Sequence, residues 1–281
     1  MASRTSPTVR RRRLASEMRR LRRESGKTRE EAAKFADIAP ATVSRIEAAV
    51  HAPKVADIMA LCKFYGLDDE RTEVLVTLAR QSRQRGWWQK YSTAIPAWFE
   101  VYVGLEEEVS EIRSYQSEVI FGLLQTEAYA RTVLLADDNV SPEDGERMLE
   151  VRMRRQKLLE GLDRPKLWII QNEAALRREV GGRAVMHEQL DHLVTMSRMP
   201  GVTIQVLPLA SGAHPSMHGA FEVLSFPNRR DPDVVYVDYR NGSIYLEESA
   251  EVDDYAQLFD QLRARALGPD ETRTLITQIA Q

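Results

Sequence analysis

Two groups of arginines near the start of the chain have the chemistry to hold a polyanion. Arg10, Arg11, Arg12 and Arg13 form an unbroken cationic run, and Arg45 stands in the segment Arg29-Glu30-Glu31-Ala32-Ala33-Lys34-Phe35-Ala36-Asp37-Ile38-Ala39-Pro40-Ala41-Thr42-Val43-Ser44-Arg45-Ile46-Glu47. A guanidinium is a planar fork of donors that matches a phosphate or the O6/N7 edge of guanine. For Arg45 to reach a base edge, its helix must lie in the major groove, braced by a second helix across a short turn. The residues supply those parts. Thr28 and Glu31 stand as N-cap and N3 of a capping box, which opens a helix to about Ala36. Asp37, Ile38 and Ala39 break it, and Pro40 starts a second helix to about Ala48, because proline at the first position gives up an N–H that has no partner there. Ala33 is the small residue two crossing helices require, and Ile38, Val43 and Ile46 give the second helix an apolar underside. This is the spacing of a helix-turn-helix.

Other helices must carry this pair. Residues 1–9 hold Ser, Thr and Pro without periodicity and read as a flexible arm. Leu14, Met18 and Leu21 then recur at helical spacing through Ser25, with arginines on the outer face, and Gly26 ends the helix. Val55, Ile58, Met59, Leu61, Cys62 and Tyr65 give a fourth helix stopped at Gly66; Asp68 caps a fifth that becomes basic at Arg80, Arg83 and Arg85. Five short helices make a compact all-α domain over residues 10–85.

The charges divide at the same place. Residues 1–85 hold 19 Lys+Arg against 11 Asp+Glu, a net of +8, and residues 86–281 hold 20 against 31, a net of -11, within a chain of 281 residues and net charge -3. A basic half beside an acidic one suits nucleic acid or an anionic surface as partner. Arg45 is open to three partners on the residues alone: guanine, a phosphate, or a carboxylate of its own domain. Arg29 and the Arg10–Arg13 run suit phosphates, and Glu47 suits a pairing within the domain.

The stretch KTREEAAKFADIAPATVSRIE, with the helix between Pro53 and Gly66, resembles the lambda-repressor-like, or XRE-type, helix-turn-helix domain over about residues 10–80. The likeness has departures: Asp37 where glycine is usual, Arg29 where glutamine is frequent, and Ala39-Pro40 in place of polar residues. Asp tolerates positive φ better than most residues. Position by position, the resemblance implies base-edge contacts from Pro40, Ala41 and Arg45. It implies backbone contacts from Arg10, Arg11, Arg12, Arg13, Thr28, Arg29, Thr42 and Ser44.

After Gly86 the texture changes, and Trp87, Trp88, Tyr91, Trp98, Phe99 and Tyr102 crowd the junction. The tryptophan pair reads as a junction core or as a platform for stacked bases. Helices are expected over Val103–Ile120, Gln125–Leu135, Pro142–Leu159, Val185–Met199 and Val252–Ala266. Strands are expected over Lys166–Gln171, Val202–Pro208, Ala220–Phe226, Val234–Tyr239 and Ser243–Glu247. A strand, a helix and a strand allow one parallel crossover, and the later strands suit antiparallel hairpins, so residues 86–281 read as a mixed α/β (α+β) domain. Arg152, Arg154 and Arg155 read as a solvated helix face. The segments GWWQKY, FGLLQTEAYAR, RMRRQKLL, GGRAVMHEQLDHL and VTIQVLPLASGAHPSMHGAFEVLSFP resemble the C-terminal domain of uncharacterised function in many actinobacterial XRE-type regulators, WhiJ-like regulators among them. Phe121 stands where that family more often has proline. The resemblance implies a transcription regulator, often encoded near a small partner protein.

The expected function is sequence-specific binding of double-stranded DNA by a homodimer. The C-terminal domain would serve to dimerise or to sense a small-molecule effector or a small partner protein, with Gln125, His214 and His218 as the candidate effector pocket. An alternative is an interaction module that sequesters a small partner and binds DNA only secondarily. Enzyme chemistry lacks its motifs. His187-Glu188-x-x-x-His192 is one residue too long for a zinc HExxH pair and sets its histidines about 500° apart around a helix. There is no Gly-x-Ser-x-Gly elbow, no P-loop and no Gly-x-Gly-x-x-Gly. Asn172, Glu173, His214 and His218 are the one polar group with a prospect of converging. No metal and no cofactor is expected. The single cysteine, Cys62, excludes an intramolecular disulfide, and with no long apolar run the expected place is the cytoplasm, on the nucleoid when DNA-bound.

Overall fold

The computed structural model describes residues 7–50, 52–83, 86–228 and 231–281. The chain forms two compact units that part between Gln89 and Lys90.

The first unit contains α1 (Pro7–Glu24), α2 (Arg29–Phe35), α3 (Pro40–Glu47), α4 (Val55–Phe64) and α5 (Asp69–Gln81). Leu14, Met18 and Leu21 of α1 meet Ala32 and Ala33 of α2, Val43 and Ile46 of α3, Ile58, Leu61 and Cys62 of α4, and Leu75, Val76 and Ala79 of α5 in one core. Burial pushes the Cys62 thiol up to about 11, so it packs as a small apolar group. Helix α1 begins at Pro7, so residues 7–9 are helical rather than part of an arm; Val9 is buried. The expected arm at residues 1–6, and Arg85 at the basic end of the fifth helix, lie outside the described residues. Trp87–Tyr91 forms a 3-10 turn in which the Trp87 and Trp88 rings meet edge to face.

The second unit is a six-stranded mixed sheet with helices. Its elements are α6 (Ala97–Glu106), β1 (Glu111–Gln116), α7 (Glu127–Leu134), α8 (Pro142–Gln156), β2 (Lys166–Asn172), α9 (Glu173–Arg177), α10 (Arg183–Met196), β3 (Val202–Leu207), β4 (Phe221–Ser225), β5 (Val234–Tyr239), β6 (Gly242–Leu246), α11 (Ser249–Arg265) and α12 (Pro269–Ala280). The strand order is β3-β2-β1-β4-β5-β6. β1, β2 and β3 are parallel, with Ile112 opposite Leu167 and Leu167 opposite Val202; β4, β5 and β6 continue antiparallel. Alternation along the strands separates two faces. Tyr115, Ile170, Leu207, Phe221, Val223 and Val235 pack against Phe259 and Leu262 of α11 on one face. The other face carries Ser114, Gln116, Glu222 and Tyr236; Glu222 and Tyr236 meet Tyr102 of α6, and Gln116 bonds Ser114 and Glu222 within the sheet.

Three expectations need correction. The helix expected over Val103–Ile120 ends at Glu106, and residues 111–116 form β1, near the centre of the sheet. Its polar residues mask a strand whose hydrogen bonds come from β2 on one side and β4 on the other. The C-terminal helix α12 is absent from the expected elements, although Gly268-Pro269 followed by Glu271 is a start signal: the Gly268 N–H donates to Glu271 Oε2 at 2.9 Å. Arg155 is buried rather than solvated, because Glu106, far away in sequence, neutralises it.

Candidate nucleic-acid interface

The frame of the candidate interface is built from local signals. Thr28 Oγ1 accepts from the Glu31 N–H at 3.1 Å, and Glu31 Oε2 accepts from the Thr28 N–H at 2.8 Å. This capping box opens α2 and holds the Glu31 carboxyl below its usual range through the Thr28 hydrogen bonds. At the other end Asp37 adopts φ 53°, and the Ile38 N–H closes back on Ala33 O at 3.0 Å. The chain turns there, and Pro40 opens α3. Ala33 is buried where the helices meet, and Ile38 packs against the core.

Helix α3 has two unlike sides. Val43, Ile46 and Glu47 are buried, whereas Pro40, Ala41 and Arg45 are exposed, with Thr42 and Ser44 between them. Ser44 Oγ donates to Pro40 O at 3.3 Å. The Arg45 side chain makes no hydrogen bond or ion pair with a described residue, so its guanidinium is open to a ligand. The end of α3 turns through Ala49 at φ 55°, and the Val50 N–H bonds Arg45 O at 3.1 Å.

Glu47 is the anchor of the unit. Arg22 donates from Nε to Oε1 at 2.5 Å and from Nη2 to Oε2 at 3.2 Å, and Arg29 Nε donates to Oε2 at 2.9 Å. Arg19 donates to the Glu47 carbonyl. Burial opposes ionisation of Glu47, and the bonds from Arg22 and Arg29 outweigh it, so the carboxyl stays below its usual range. One carboxylate thus joins α1, α2 and α3. Arg29 is therefore both partner of Glu47 and, with its side chain 45% exposed, a group at the surface. Sequence reasoning places Glu47 in an internal pair but singles out neither Arg22 nor Arg19; no local pattern marks two arginines among so many on α1.

Arg10, Arg11, Arg12 and Arg13 are all half-buried. Arg11 Nη2 reaches Ser82 O at 3.5 Å, and burial lowers the pKa of its guanidinium. Four consecutive helical residues point around the axis, so the run is not one flat cationic face.

In the second unit, Gln125 is buried. It donates to Ile120 O at 2.6 Å and accepts from Arg152 Nη1 at 2.6 Å, while the Gln156 amide donates to its carbonyl at 2.7 Å. His214 lies against Tyr115, its Nε2 3.3 Å from the Tyr115 hydroxyl, and Asn172 Nδ2 donates to that hydroxyl at 3.0 Å. Asn172 and His214 thus meet through Tyr115. Glu173 turns elsewhere, accepting from the Leu209 N–H at 2.8 Å, and His218 is exposed. The structure places Gln125 in a network separate from His214 and His218. Among the described residues no group of three or more His, Cys, Asp or Glu is placed to hold a metal, and no helix is long and apolar enough to cross a membrane.

Residues 99–278, more than half of the chain, match the family model described as Domain of unknown function (DUF5753). The chain belongs to the DUF5753 family. Ahead of the DUF5753 region, residues 13–75 match a helix-turn-helix domain. No curated protein and no solved structure matches the chain. The order of the two matches agrees with the resemblance read from the sequence, an XRE-like helix-turn-helix followed by a domain of uncharacterised function. The helix-turn-helix marks this DUF5753 protein as a DNA-binding regulator.

Proposed function

We propose that the protein is a homodimeric, sequence-specific transcriptional regulator that reads double-stranded DNA with α3 in the major groove. The observation that carries this reading is the division of α3. Val43, Ile46 and Glu47 fix the helix to the core, while Pro40, Ala41 and Arg45, whose side chain has no ion pair among the described residues, face outward. On this reading Pro40, Ala41 and Arg45 meet base edges. Thr28, Arg29, Thr42, Ser44 and the Arg10–Arg13 run approach phosphates, which contribute affinity and register without sequence information. Two copies of α3 in a dimer would lie on half-sites about 34–36 Å apart.

In the same proposal residues 10–85 are the DNA-binding domain, and residues 86–281 dimerise and sense a small-molecule effector or a small partner protein. The loops bearing Gln125, His214 and His218 are the effector candidates, in a protein that works in the cytoplasm on the nucleoid. What supports a second task is the size of that unit, since a helix-turn-helix needs only the first. Titration of the full-length protein against duplex DNA at rising salt tests the reading. Affinity should fall steeply, as phosphate contacts release counterions. Absence of salt-sensitive binding would contradict it and favour sequestration of a partner protein.

A further inference from the structure

Tyr102 on α6 stands between two carboxylates in the second unit. Its hydroxyl oxygen is 2.7 Å from Glu222 Oε2 on β4 and 3.0 Å from Glu106 Oε1 on α6. Both contacts are hydrogen-bonding distances, and a hydroxyl has one proton to give. The second proton must sit on a carboxyl group. Glu106 is the fixed anion of the pair: Arg155 of α8 donates to it from Nε and from Nη2, each at 2.7 Å. Among the described residues Glu222 has no such cation bonded to it. It is buried, and its other neighbour is the Gln116 amide at 3.5 Å. Tyr102 is 1% exposed and Glu106 1% exposed, so water does not supply the missing proton.

We propose that one proton held on Glu222 and relayed through Tyr102 to the Glu106–Arg155 pair latches α6 to the sheet, and that a rise in pH loosens this latch. With the proton in place, Glu222 donates to Tyr102, Tyr102 donates to Glu106, and the chain closes on Arg155 with no net charge. Without it, one of the two contacts sets a lone pair against an anion in a water-poor site. The groups facing Glu222 include few that would compensate. α6 brings Tyr102 and Glu106, α8 brings Arg155 and, beyond it, Arg152, β5 brings Tyr236 and Asp238, and β1 brings the neutral Gln116. Burial pushes the Glu222 carboxyl up to about 8, with Glu106 and Asp238 adding to the rise and Tyr102 and Arg155 opposing it. In the chain, α6 is the first α-helix of the second unit, so the latch acts near the start of that unit.

The sign of the effect is fixed by linkage. Folded Glu222 keeps a proton that the unfolded chain gives up near the ordinary carboxyl value, so its contribution to stability is complete in acid and lost as pH rises toward 8. Urea unfolding of the full-length protein and of Glu222→Gln, each from pH 5 to pH 8.5, tests the proposal. The neutral amide mimics the protonated acid, so the ratio of the two folding constants should shift by at least tenfold in favour of the variant across that range. Parallel curves would overturn the proposal, since a packing defect alone moves the curve without changing its pH slope. Should the variant fail to fold, infrared spectroscopy of the wild-type chain decides. A buried carboxylic C=O band should persist at pH 7 and vanish above pH 8, while amide exchange over residues 97–106 accelerates beyond its intrinsic pH dependence. Full ionisation of every carboxyl by pH 6 would overturn the latch.

Discussion

Arg22 grips Glu47 through both carboxylate oxygens, tying the last turn of α1 to the last residue of α3. The helix proposed to enter DNA is therefore oriented by a buried charge as well as by Val43 and Ile46. With Glu47 2% and Arg22 14% exposed at the side chain, the pair is shielded from water and salt. Removing one partner leaves the other charge buried and alone. Glu47→Ala should lower the stability of the first unit by about 3–5 kcal/mol, measured by urea unfolding. Because the folded carboxyl is held below its unfolded value, the contribution of Glu47 is present at neutral pH and lost only as the solution becomes acid enough to protonate it in the fold. Glu47→Gln should flatten that acid limb.

Ala49 turns the chain out of α3 in the left-handed region at φ 55°, where a Cβ is unfavourable. Ala49→Gly should stabilise the first unit by about 1 kcal/mol, since glycine enters that region at no steric cost. Differential scanning calorimetry should show the transition of that unit moving up by a few degrees. An unchanged or lower midpoint would show that the turn is not strained.

In the second unit the Arg155–Glu106 pair is almost wholly inaccessible, with side chains 5% and 0% exposed. Arg155 also lies over the rings of Phe99 and Tyr102, each about 5.1 Å away. Arg155→Ala should cost about 3–5 kcal/mol, whereas the double change Arg155→Met with Glu106→Leu should cost less than either single truncation, because no bare charge remains. A double-mutant cycle on the full chain measures the coupling.

The phosphate contacts proposed for the first unit have a separate signature. Replacing Arg10 and Arg13 by glutamine should reduce the steepness of log affinity against log salt by about 0.9 for each phosphate no longer neutralised, and leave the preferred DNA sequence unchanged. A changed sequence preference would assign these residues to base reading.

How much of this was legible in the sequence depends on the range of the interactions. The helix-turn-helix is written in neighbours: Thr28 caps with Glu31, Pro40 starts α3, Asp37 takes the turn, and Ala33 and Val43 go inside. β1 is hidden because Ser114 and Gln116 are polar yet buried, and only pairing with β2 and β4 makes that segment a strand. Arg155 reads as a surface residue because its partner, Glu106, is 49 positions away on another helix. The placement of Gln125 and His214 in separate networks is likewise beyond local patterns, since Arg152 and Tyr115 draw them apart.

The central claim is that exposed residues of α3 read DNA sequence, and selection of genomic DNA fragments by the purified full-length protein tests it most directly. The selection is run at two salt concentrations, with Arg45→Ala beside the wild type. The account expects a shared inverted-repeat sequence that survives the higher salt and becomes degenerate at one base position in the variant, as removal of a guanine contact of about 1–3 kcal/mol requires. Enrichment without a common sequence, vanishing at the higher salt and weakened equally for all fragments by Arg45→Ala, would contradict it and leave charge alone as the basis of binding.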